Sequence, residues 1–172
     1  NDNNEIKKIE FNLDIENKLI LNIDNEIYIK KKKLDKKFYE ISKEFIIFES
    51  LYSDGIKNKL PQDILIKLIK MFSFDLDFQR DIRKNTKVSV SYEYNEIIET
   101  NKIEYKDINY AQITIGSNTL EYFKFLTDAG YYDYFNREGK NVKKSILKTP
   151  LDGARLSSNF GMRKHPISGY NK

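Results

Sequence analysis

A chain of 172 residues with 40% hydrophobic and 13% aromatic residues has enough apolar side chain for a core, which excludes a disordered segment. Its 30 Lys and Arg against 26 Asp and Glu leave a net charge of +4, with acids mixed among the bases and no nucleic-acid motif beside them. The absence of cysteine rules out a disulfide framework and a thiolate zinc site, and no apolar run reaches the ~18 residues of a membrane helix.

The chain opens on Asn1 rather than Met and carries no signal peptide, as a processed product does, so the lack of a targeting segment excludes no compartment. From Ile6 to Lys33, Ile9/Phe11/Leu13, Leu19/Leu21/Ile23 and Ile27/Ile29 alternate around Asn17 and Asp24-Asn25, which predicts a meander of short half-buried strands. The run Lys30-Lys31-Lys32-Lys33 reads as a solvated face. Phe45, Phe48, Leu51, Tyr52 and Ile56 fall at helical spacing and predict a short amphipathic helix over 45–58. Leu60-Pro61-Gln62-Asp63 opens a second helix, with Ile64, Leu65, Leu68, Ile69 and Phe72 as its core stripe.

The segment Phe74-Asp75-Leu76-Asp77-Phe78-Gln79-Arg80-Asp81-Ile82-Arg83 interleaves three aspartates with two arginines. Carboxylates two apart suit a hard cation, but no glycine turn or closing Glu follows at calcium-loop spacing. Pairing of Asp77 or Asp81 with Arg80 or Arg83, together with turn capping, is the reading adopted. Val88, Val90, Tyr92 and Tyr94 then mark a strand; Ile103/Tyr105 and 110–115 mark further ones. Turns at Gly116-Ser117-Asn118 and Asn136-Arg137-Glu138-Gly139 separate 120–125 and 130–135. The expected class is α+β: a β-rich domain over 1–148 with two short helices, divisible near residue 45, and a linker beginning at Thr149-Pro150-Leu151-Asp152-Gly153.

The last stretch is specific. Arg155-Leu156-Ser157-Ser158-Asn159-Phe160-Gly161, then Arg163, His165-Pro166 and Gly169, resembles the entry to a LytM/lysostaphin-type zinc endopeptidase domain. Ser50-Leu51-Tyr52, Leu60-Pro61, the 72–83 segment, Tyr131-Tyr132-Asp133 and Gly139 are similar, more loosely, to the region preceding that domain in Gram-negative murein endopeptidases. The resemblance implies that residues 149–172 begin an antiparallel β peptidase domain. It implies a parent enzyme that hydrolyses peptidoglycan stem-peptide cross-links in the periplasm, by zinc-activated water, with 1–148 regulating or positioning the catalytic domain.

The family takes its zinc ligands from a His-x-x-x-Asp motif and a later His-x-His. Residues two or four apart on a strand share a face, so such ligands converge, and three of them leave zinc a position for water. Those ligands are expected after Lys172. His165 belongs to the His-Pro element, and a single histidine cannot build a three-ligand site, so neither bound zinc nor hydrolysis is expected of this chain alone. Arg163 and His165 are expected to brace the wall of the substrate groove. The implied partners are stem peptides and the rest of the peptidase domain, with a second copy of the chain a further candidate and nucleic acid not expected. The competing reading is a non-catalytic peptidoglycan- or partner-binding module with a degenerate peptidase tail.

Overall fold

A computed structural model describes residues 6–24 and 26–142. Strands β1 (Lys8–Asn12), β2 (Asn17–Asn22) and β3 (Tyr28–Lys33) form a small antiparallel sheet in that order. Strands β4 (Lys36–Ile46), β5 (Lys87–Ile97), β6 (Lys102–Ile115), β7 (Asn118–Leu126) and β8 (Tyr132–Phe135) follow one another across a second, five-stranded sheet. Helices α1 (Leu51–Lys57) and α2 (Gln62–Phe72) come between β4 and β5, and α2 packs on β6. The architecture is α+β, with two short helices in a β-rich chain.

The large sheet buries one face because its register aligns apolar residues. Phe45 opposes Val88, Val88 opposes Ile113, and Ile113 opposes Leu120. Val90, Ala111 and Tyr122 form the next row. Ile64, Leu65, Leu68 and Phe72 of α2 complete that core, all fully buried. Each such side chain contributes ~1.5–3 kcal/mol by leaving water. The opposite face is polar: Ser89 donates to Glu44, Ser91 to Glu40, and Tyr110 to Glu121. The register shifts between Ser91 and Tyr94, where a bulge interrupts the β5–β6 ladder and adds local twist.

The predicted helix over 45–58 is corrected. Residues 36–46 are β4, and the helix begins only at Leu51. Phe45 sits on the sheet opposite Val88, so its spacing to Phe48 and Leu51 spans a strand end and a helix start. Local chemistry sets the boundary. The Ser50 hydroxyl caps the Ser53 N–H at 3.0 Å. The buried Asp54 carboxylate accepts N–H bonds from Phe48, Glu49 and Ser50 at 2.8, 2.7 and 3.1 Å, folding the connection back on the helix. Residues 102–115, read as two segments, form the single strand β6.

The small sheet has no core of its own among the described residues. Every residue of β1 and β3 is exposed, and those of β2 are half-buried. Ile9, Phe11, Leu19, Leu21 and Ile29 share one face through their register, with Ile29 67% exposed. Lys18 and Lys32 reach Glu99 beyond β5, Lys36 and Lys106 reach Glu16, and the Leu34 N–H donates to the Glu16 carbonyl. Lys30–Lys33 lie on β3 or its end, solvated as their charge run implies.

Candidate functional site

The interleaved aspartates and arginines of 74–83 fold into a self-capped turn. The Asp81 carboxylate accepts the Asp77 N–H at 2.8 Å, and Asp77 accepts the Gln79 N–H at 3.0 Å. Arg80 lies 3.6 Å from Asp77, largely in solvent. The turn leads into Arg83, Lys84 and Asn85, whose backbone is pinned to the end of β4. Asn85 donates to the Ile47 carbonyl and Ile47 to the Thr86 carbonyl, both at 2.8 Å. Asn85 takes a left-handed φ of 70°, which Asn tolerates better than most residues.

This segment faces the β6–β7 turn, where Gly116 adopts φ 60°. Between them lies an open cleft of ≈ 1040 Å³, lined by Asp81, Arg83, Lys84 and Lys87 on one side and Ser117, Asn118 and Thr119 on the other. A second hollow of ≈ 600 Å³ shares Thr119 and Leu120 with it and continues towards Glu121, Arg137, Lys140 and Val142. Beneath it the Tyr122 hydroxyl donates to Asp75, and burial followed by that bond raises the Tyr122 pKa well above its ordinary range. Arg137 pairs with Glu121 at 2.5 Å.

On the helical side of the sheet, Lys124 is nearly buried, with its Nζ 3.2 Å from Asp107 and 3.5 Å from Glu93 and lying 4.7 Å from the centre of the Tyr132 ring. Lys67 of α2 reaches the same Asp107 at 3.3 Å. Burial would raise the Asp107 carboxyl, but Lys124 and Lys67 outweigh it and its pKa falls. Burial and the nearby Asp107 push Tyr134 up to about 12. The ammonium of Lys124 is enclosed by two carboxylates and a ring, so the cluster clamps α2 to the sheet and presents no open reactive group. Neither Lys124 nor Asp54 shows in the sequence pattern. Their partners are distant or on the backbone, although an Asp four residues past a capping Ser is a local hint for Asp54.

Arg163, His165 and the 148/149 boundary lie outside the described residues. Asp77, Asp81 and Arg80 come together as a turn, as read, while Arg83 stands apart from that network and lines the cleft. Among the described residues no three of His, Cys, Asp and Glu gather as a ligand set, so the donors present there do not fit zinc. Among them, too, no helix is long and apolar enough to cross a membrane.

No protein-family model matches the chain. It is 32% identical over 127 residues to the peptidoglycan DD-endopeptidase ShyC of Vibrio cholerae, a match over 73% of this chain. The chain spans 28% of that relative's length. Its fold is shared with Helicobacter pylori Csd3 in the orthorhombic crystal (TM-score 0.61, 18% identity, 100% of this chain and 47% of that one). A zinc-containing peptidase from Vibrio cholerae shares it as well (TM-score 0.57, 18% identity, 99% and 52%). The resemblance carried by 155–169 and the relationship over 127 residues agree, and the chain belongs to the LytM-like endopeptidase family.

Proposed function

We propose that the complete protein is a peptidoglycan hydrolase of the periplasm that cleaves stem-peptide cross-links. The observation that carries this reading is the 32% identity to a peptidoglycan DD-endopeptidase across 127 residues. Residues 1–148 serve as the upstream domain that regulates or positions the catalytic one, and 149–172 lead into the peptidase domain. The large sheet suits a positioning role, because a core of fully buried side chains holds its loops in fixed places. Arg163 and His165 brace the groove wall in the complete enzyme. Zinc belongs to that enzyme too, on ligands beyond Lys172, and when bound supplies an activated water; this chain alone hydrolyses nothing.

The test digests purified murein sacculi with the complete protein and resolves the products by chromatography. Cross-linked dimers should convert to monomers, and a chelator should stop the conversion. Undiminished dimers from a correctly folded protein would sink the hydrolase reading and leave the non-catalytic binding module. Removing residues 1–148 should change the rate of digestion; an identical rate would end the regulatory role. His165→Ala should slow digestion without altering the fold, and a fully active variant would free His165 from the groove.

A further inference from the structure

We propose that the cleft between residues 81–87 and the β6–β7 turn is a recognition site that takes a free carboxylate of a peptide. Resting on the hydrolase reading, it deepens that reading by naming the ligand: an unlinked stem peptide, which ends in such a carboxylate.

Three observations carry it. The first is charge. Arg83, Lys84 and Lys87 line one wall, and none of them pairs with an acid among the described residues. The one acid on that wall, Asp81, already accepts the Asp77 N–H within its own turn. A wall with three cations and one committed carboxylate has a surplus that an anion neutralises, and a guanidinium suits the planar two-oxygen geometry of a carboxylate.

The second observation is rigidity. Thr86 is buried, its hydroxyl accepts the Arg83 N–H at 3.3 Å, and its N–H donates to the Arg83 carbonyl at 3.1 Å. With the paired bonds to Ile47, this fixes the backbone from which the cations project. A fixed donor set loses less entropy on binding than the same charges on a free loop. The third is the opposite wall. Ser117, Asn118 and Thr119 are neutral, exposed and rich in hydroxyl and amide groups. A peptide terminus pairs with cations at its carboxylate and with neutral hydroxyl and amide partners along the amides behind it, and the two walls offer that combination. The continuation into the second hollow gives such a chain room to run.

The experiment titrates the 172-residue chain with the purified disaccharide-tetrapeptide monomer of murein, followed by calorimetry and by amide NMR shifts. Parallel arms use the same monomer with its carboxylates converted to carboxamides, and inorganic phosphate. The variants are R83Q/K84Q/K87Q and, as a control for net charge, K30Q/K31Q/K32Q, each checked for an unchanged thermal transition. Losing the carboxylate or the three cations should weaken binding at least about tenfold, the scale of one charge-assisted pair. The control should bind as the parent chain does, and the largest shifts should fall on 83–87 and 116–119.

Equal affinity of R83Q/K84Q/K87Q, or of the carboxamide monomer, would overturn the proposal. So would phosphate binding as tightly as the monomer, or equal weakening in the control. If the triple variant does not fold, Arg83→Gln alone should weaken binding severalfold, and no change would overturn the proposal equally. Sacculus digestion by the complete protein separates the two claims. Digestion without monomer binding removes this site alone, and binding without digestion removes the hydrolase reading alone.

Discussion

Asp54 is drawn two ways by its surroundings. Burial disfavours its charged form, yet three backbone N–H groups aim at the carboxylate and the balance lowers its pKa. The folded value lies below the unfolded one, so the stabilisation is present above about pH 4 and drains away as the pH falls through the folded value. Asp54→Ala should cost on the order of 2–3 kcal/mol by leaving those donors without an acceptor. Asp54→Asn should flatten the acid limb of the stability curve, measured by urea melts from pH 3 to 7; an unchanged limb would remove Asp54 from that role. Tyrosines act at the opposite end. Burial, helped by neighbouring tyrosines for Tyr92 and by Asp107 for Tyr134, pushes both up to about 12. Folded values raised above the unfolded ~10 give stability that is full below pH ~10 and lost as the pH climbs towards 12. Tyrosinate absorbance of these residues should therefore rise together with unfolding, and early ionisation in a native spectrum would contradict it.

The two helices meet where Gly55 of α1 faces Leu65 of α2. A Cβ on Gly55 would stand 2.9 and 3.1 Å from the Leu65 methyl carbons, which are fully buried. Gly55→Ala should be nearly neutral, since better helix propensity (~1 kcal/mol) offsets a small displacement of those methyls. Gly55→Val should lose roughly 1–3 kcal/mol by overpacking, and a thermal scan that ranks the two alike would disprove the close approach. At this scale the sequence was legible where burial imposed a period. The stripe from Ile64 to Phe72 and the alternation from Val88 to Tyr94 are core faces, and the periods say so. β4 was not legible. It is an edge strand of the described sheet with Phe38 and Ile41 exposed, so no alternation marks it, and its end runs on into α1 at an accidental helical spacing. The cleft was half legible: the Asp-rich turn stood out, but the β6–β7 wall comes from thirty residues downstream, and only pairing of β5 with β6 brings the two together.

At the scale of the molecule, nearly all the buried apolar side chains among the described residues belong to 34–142. The connected core begins at Phe45 and draws nothing from β1, β2 or β3. A chain starting at Leu34 should keep its thermal transition within a few degrees, as measured by calorimetry, because no large hydrophobic burial is lost. A drop beyond ~10 °C would show that the small sheet supports the core after all. The lysines gathered on Glu99 and Glu16 give this fold two parts answering to different agents. Urea and cold act on the packed sheet through its apolar surface, whereas dissolved ions act on the carboxylate–ammonium contacts at the small sheet, whose range shrinks to ~3 Å at 1 M salt. Ionic strength is thus a dial on the attachment of the first three strands, one that the surrounding solution can turn while the sheet bearing the cleft keeps its shape.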